Sequence, residues 1–203
     1  MDNKKVKGYA YGVIASVSYG LNPLFALPLY ASGIRVDSVL FYRYVFALLF
    51  LAVMMKMSGQ SFALKRNEIL PVAVMGLLFS FSSLFLFQSF NYMDAGIAST
   101  ILFMYPVLVA VIMAVFFKER LSVVKIASIA TAFVGISMLY KGEGGATLSM
   151  TGVCLVLMSS LTYALYIVGV NRSSLKEMPG LKLTFYAILF GSLVYIVRLR
   201  GGM

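Results

Sequence analysis

Gly96-Ile-Ala-Ser-Thr-Ile-Leu-Phe-Met-Tyr105-Pro106-Val-Leu-Val-Ala-Val-Ile-Met-Ala-Val-Phe-Phe117 runs for 22 residues without a charge, between Asp94 and Lys118-Glu119-Arg120. About 20 apolar residues in a helix cross a hydrocarbon core of ~30 Å, so this stretch predicts a membrane span. Working outward, six more stretches of similar length follow the same pattern: Gly8 to Ala31, Ser38 to Met57, Ile69 to Asn91, Val123 to Tyr140, Met150 to Asn171 and Leu181 to Arg198. Breakers and charges fill the short connections between them, including Ser58-Gly59-Gln60-Ser61, Gly142-Glu143-Gly144-Gly145 and Pro179-Gly180. The whole 203-residue chain is 61% hydrophobic and 12% charged. A soluble domain of this size needs far more polar surface to cover it. The predicted fold is an all-α integral membrane protein with seven transmembrane helices, and lipid is its main solvent.

The basic residues give an orientation. Lys4, Lys5, Lys7, Lys56, Lys65, Arg66, Lys118, Arg120, Lys125, Arg172, Lys176 and Lys182 fall on the side of the N-terminus. Arg35, Lys141, Arg198 and Arg200 fall on the other. Lys and Arg near span ends are retained in the cytoplasm, so the expected arrangement is a multi-pass protein of the cell membrane, taken as the bacterial inner membrane, with the N-terminus cytoplasmic. This asymmetry accounts for the net charge of +10 without a nucleic-acid partner. The first span follows three lysines but is too long for the apolar part of a signal peptide, and it reads as a retained helix.

An internal repeat appears at an offset of 144 residues. Gly8, Ser16, Tyr19 and Leu21 meet Gly152, Ser160, Tyr163 and Leu165; Phe41, Tyr42, Phe46, Leu49 and Val53 meet Phe185, Tyr186, Phe190, Leu193 and Val197. Five spans lie in one repeat, and an odd number inverts the second copy relative to the first. Residues 1–141 are expected to form the first unit and 150–203 part of a second, cut short after two helices, with about three spans wanting.

The stretch Ala95-Gly-Ile-Ala-Ser-Thr-Ile-Leu-Phe-Met-Tyr-Pro106, its continuation through Lys118-Glu119-Arg120-Leu121, and Ala132-Phe-Val-Gly135-Ile resemble the EamA domain of the drug/metabolite transporter superfamily. Arg43 in Phe41-Tyr-Arg-Tyr-Val resembles the arginine often found in that family's second span. The resemblance implies ten helices in two inverted five-helix repeats around a central cavity, exporting or exchanging small metabolites by alternating access. With seven spans, the gating role of the last three has no counterpart unless another chain supplies those helices.

Several residues are candidates for contact with a small-molecule substrate. Arg43 is the one charge well inside a span, about 7 Å below the interface next to Ser38 at 1.5 Å per residue. An intramembrane charge is costly and marks a site by default, though an arginine near a span end also snorkels to water. Asn22 and Tyr105 lie about 13 Å below the same interface. Gln88 and Asn91, three apart, lie nearer to it on one helix face. These groups need each other or a wetted cavity. Pro23, Pro28 and Pro106 are expected to interrupt the first and fourth spans. Tyr19 and Tyr42, with their repeat mates Tyr163 and Tyr186, either face a cavity or form an aromatic packing layer. Gly8, Gly12, Ser16 and Gly20 form a small-residue stripe for helix packing or self-association. Asp94 and Glu119 are expected to cap helices.

The chain has no His, and its one cysteine, Cys154, lies in an apolar run. No cofactor or metal set is implied, and neither a nucleophile with its base nor a metal cluster supports an enzyme. A small-solute transporter is the leading expectation. A non-transporting membrane subunit or inactive fragment is the alternative, with a receptor behind it.

Overall fold

The computed structural model describes residues 3–119 and 149–200, together with residues 127, 130, 131, 134 and 135 of the stretch between. The expected fifth span, Val123 to Tyr140, therefore lies outside the continuously described residues. Every regular element among the described residues is helical, and six helical segments are long and apolar enough to cross a membrane. Their bounds fall within three residues of the expected ones, because the same apolar runs that lipid demands also end where charges and breakers begin.

The chain divides into two units, Met1–Arg35 and Val36–Met203. The first holds one span made of two helices, α1 (Asn3–Gly20) and α2 (Asn22–Ala31). The break falls at Leu21, and Pro23 sits in the first turn of α2, where its missing N–H would be unbonded anyway. Pro28, by contrast, lies inside α2 without interrupting it, contrary to expectation. Gly33 then turns the chain at φ 81°, a left-handed conformation that glycine adopts without a Cβ clash.

The second unit contains α3 (Val36–Met57), α4 (Arg66–Ser89), α5 (Ala95–Leu102), α6 (Tyr105–Phe117), α7 (Met150–Arg172), a 3-10 turn at Ser174–Glu177, and α8 (Gly180–Arg200). Helices α5 and α6 make one span, broken at Phe103-Met104 just before Tyr105-Pro106, as the proline predicts. Asp94 caps α5, its carboxylate accepting the Gly96 and Ile97 N–H groups at 2.8 and 3.2 Å, which agrees with the expected cap.

Helix α4 is the centre of this unit and packs on α3, α7 and α8. Its interior positions are small: a Cβ added at Gly76 would come within 2.6 Å of the Ala187 carbonyl oxygen, and one added at Gly191 would collide with Ser80. Ser82 and Ser159 bond reciprocally, each hydroxyl donating to the other's carbonyl, at 3.0 and 2.7 Å. Lipid tails are as apolar as leucine, so close approach and interhelical hydrogen bonds, rather than apolar burial, hold such helices together. Accordingly the large side chains Leu70, Phe50, Phe116 and Val197 face outward.

Contacts between elements sort the helix ends of this unit into two groups. At one end the turn after α3 meets the start of α8, with Tyr186 donating to the Phe62 carbonyl, Lys182 to that of Ala63, and Val72, Leu175 and Leu183 forming an apolar cluster. The end of α6 meets the end of α7 there, through an ion pair between Glu119 and Arg172. This end carries Lys65, Arg66, Lys118, Lys176 and Lys182. At the opposite end Asp37 at the start of α3 pairs with Arg198 near the end of α8, and Met93 packs on Gly152.

Candidate functional site

Four half-buried rings meet where α4, α6 and α7 converge. Tyr105 and Tyr163 stand edge-to-face with centroids 4.8 Å apart. Tyr163 stacks on Tyr166 at 5.9 Å, one turn along α7, and Phe79 of α4 approaches Tyr166 at 5.4 Å and Tyr163 at 6.3 Å. Phe79 also touches Tyr44 of α3 at 6.4 Å, and Tyr44 meets Tyr195 of α8 at 4.8 Å. Rings from five helices thus form one connected series.

The buried side of this series is hydrogen-bonded. Tyr195 donates to the Ser80 carbonyl at 2.9 Å, the Ser80 hydroxyl donates to the Tyr44 oxygen at 3.2 Å, and Tyr44 donates to the Ser83 hydroxyl at 3.3 Å. A buried phenol in hydrocarbon needs such a partner, and these three bonds fix the rings of Tyr44 and Tyr195. Held rigidly, they support Phe79 and, through it, the half-buried tyrosines.

Arg43 sits on the same α3–α4 seam. Its guanidinium lies 5.0 Å from the centroid of the Phe87 ring, a cation–π contact that orients the group while its N–H edge stays available to an acceptor. Phe87 and Phe79 are eight residues apart on α4, so Arg43 meets that helix about 12 Å along from the tyrosine group. Asp94 is engaged in capping α5.

Of the expected contact residues, the structure brings Tyr105 and Tyr163 together, and places Arg43 against α4 one residue before the half-buried Gln88. Tyr19 and Asn22 belong to the N-terminal unit, Tyr19 on α1 and Asn22 at the first position of α2. Asn91 does not share a helix face with Gln88, because α4 stops at Ser89 and Asn91 lies in the turn beyond. Tyr42 is 60% exposed and its mate Tyr186 is tied to the Phe62 carbonyl, so neither joins the ring series. The fifth span that Glu119 is expected to begin or cap lies outside the continuously described residues; Glu119 pairs with Arg172, whose guanidinium also lies 4.4 Å from the Phe117 centroid.

Tyr44, Phe79, Tyr166, Tyr195 and Ser80 escaped the sequence reading. A signal existed for two of them: Ser80-Phe-Ser-Ser83 puts three hydroxyls within four residues inside a span, and Tyr44 directly follows Arg43. Nothing in their spacing marks Phe79 or Tyr195.

Relatives fit this description. The chain is 29% identical over 131 residues to the uncharacterized transporter YxxF of Bacillus subtilis (strain 168), covering 62% of this chain and 42% of that protein. It is 28% identical over 102 residues to an uncharacterized transporter of Archaeoglobus fulgidus, covering 50% and 36%. YvbV of Bacillus subtilis (strain 168), also an uncharacterized transporter, is 27% identical over 131 residues, covering 62% and 43%. The matched stretches thus span less than half the length of these curated relatives. No solved structure matches the chain. Residues 6–141 match the EamA-like transporter family, which is most of the chain, and the protein belongs to that family.

Proposed function

We propose that this chain moves a small organic solute, such as an amino acid, across the cell membrane by alternating access, as export or exchange. The observation that carries this reading is the half-buried group Tyr105, Tyr163, Tyr166 and Phe79 on membrane-spanning helices, braced by the Ser80, Tyr44 and Tyr195 hydrogen bonds. Phenol groups in hydrocarbon are poorly accommodated, whereas in a wetted path they offer ring faces and hydroxyls to a passing solute. Arg43, held on Phe87, supplies the positive charge in this reading and favours solutes with a carboxylate or similar group. Gln88 contributes a neutral hydrogen bond in this reading.

The proposed architecture has seven spans, a five-helix repeat over 1–141 and an inverted second copy beginning at 150. Helix bounds support it: α3 starts at 36 and α8 at 180, the same offset of 144 that relates their sequences. The two helices also run antiparallel, as inversion requires, since the start of α3 meets the end of α8. The basic end is placed in the cytoplasm, which puts the N-terminus inside, in the bacterial inner membrane, against anionic headgroups. A second reading, a non-transporting subunit that self-associates or takes helices from another chain, rests on the Gly8, Gly12, Ser16 and Gly20 stripe of α1.

Metabolite profiling of cells expressing the chain, and of their medium, tests the proposal. A small organic anion should shift between cell and medium with the wild-type chain and not with Arg43→Gln at equal membrane abundance. Profiles identical to those of cells lacking the chain would favour the second reading.

A further inference from the structure

Helices α3 to α6 and helices α7 and α8 meet along a seam with an uneven build. Its middle is made of small residues: Gly76 against the Ala187 backbone, Gly191 against Ser80, and the reciprocal Ser82–Ser159 pair. Its basic end is closed broadly, by the Val72, Leu175 and Leu183 cluster, by Tyr186 and Lys182 on the loop carbonyls, and by the half-exposed Glu119–Arg172 pair. Its opposite end is held by Met93 packed on Gly152, by α5 packed on α7, and by one ion pair between α3 and α8. Arg198 donates from Nε to the Asp37 Oδ1 at 2.6 Å and from Nη2 to Oδ2 at 3.5 Å, and Asp37 is only 5% exposed.

We infer that the Asp37–Arg198 pair is the latch that holds the end of the seam opposite the basic end shut, with the small-residue contacts of α4 as the pivot about which α7 and α8 rock. Close-packed small residues let two helices tilt about a fixed point without side chains having to disengage, which suits a pivot. The latch has the asymmetry a switch needs. Asp37 is buried and Arg198 half exposed, so separating them in a closed seam strands the Asp37 carboxylate, whereas opening the end wets it and repays the separation. In the Glu119–Arg172 pair neither group is buried, so it is worth much less and does not govern its end.

This inference rests on the alternating-access reading above, but its test uses no solute. A Cys154→Ala background carrying Ser83→Cys places one thiol on α4 between the two ends. A membrane-impermeant maleimide is then applied to either face of sealed vesicles. Asp37→Asn, and separately Arg198→Gln, should speed labelling from the face at the Asp37 end by about tenfold or more and slow it from the basic face, a shift set by losing the partner of a buried carboxylate or that carboxylate itself. Glu119→Gln should change either rate only slightly. The swap Asp37→Arg with Arg198→Asp should return the wild-type rates, which separates latch loss from misfolding. Unchanged labelling in the single variants, or a swap that is well folded yet labels like them, would overturn the latch. Reciprocal labelling in a chain that moves no solute would keep the latch and refute the transport reading.

Discussion

Helices α3 and α8 are the two copies of one sequence pattern, and they use it differently. Of the residues they share, Phe46, Leu49, Val53, Leu193 and Val197 lie on outward faces and are more than half exposed, while Tyr186 and Phe190 of α8 pack inward. Several of the residues in which they differ face the neighbouring helices. Where α3 has Arg43, Ala47 and Leu51, α8 has Ala187, Gly191 and Tyr195, and all three of the latter are buried. Lipid asks of a side chain only that it be apolar, so outward positions tolerate and retain the same residues in both copies. Inward positions must fit one particular neighbour, and the neighbours of α3 and α8 are not the same. The repeat is therefore most visible where it does least, and the chemistry sits where the copies diverge.

The contrast breaks most sharply at Gly191. Gly191→Val should destabilise the protein by about 2 to 3 kcal/mol or more, since the new side chain would collide with Ser80 and the Gly76 carbonyl. Leu193→Ala, two residues on and outward-facing, should stay within about 0.5 kcal/mol, and thermal unfolding in detergent compares the two directly. Equal effects would mean that α8 does not pack on α4 as described.

A smaller effect tests the ring series. Tyr195→Phe keeps the ring but removes the donor to the Ser80 carbonyl, and should cost about 0.5 to 1.5 kcal/mol by the same measurement. Removing the α3 side of that network with Tyr44→Phe should be less than additive with it, because Ser80 bonds both tyrosines. Additive losses would separate the two rings energetically.

The smallest effect belongs to the serine pair on the seam. Ser82→Ala and Ser159→Ala should each cost on the order of 0.6 kcal/mol, typical of polar contacts between membrane helices. Their double-mutant cycle should show coupling, as each removes bonds that the other shares. Independent losses would place each serine's bonds within its own helix.

How much of this was legible beforehand follows from the same contrast. Spans are legible because the hydrocarbon core sets a length and a composition, and charges mark where each ends. Breaks just before Asn22-Pro23 and Tyr105-Pro106 were legible because proline cannot donate inside a helix, but Pro28 shows that proline also sits inside a helix without breaking it. Tyr105 and Tyr163 stood out as polar groups in apolar surroundings. Ser80, Ser82 and Ser159 did not, since serine in a span can satisfy itself on its own helix, and nothing local says that it bonds across. Asp37 was placed one residue outside its span, so its burial against Arg198, 161 residues away, had no local signature. Arg198 likewise stood on the side that the basic asymmetry disfavours, and the carboxylate of Asp37 offsets its charge there.

The central claim is that a solute with a negative group passes Arg43. Counterflow in proteoliposomes, with a transported anionic solute and a neutral analogue of the same shape, tests it most directly. Arg43→Gln should weaken the anionic solute by about 1.5 to 3 kcal/mol relative to the neutral one, roughly 10- to 150-fold, the size of one charge-assisted hydrogen bond. Equal losses for both solutes, with less protein reaching the membrane, would contradict the claim and assign Arg43 to folding through its contact with Phe87.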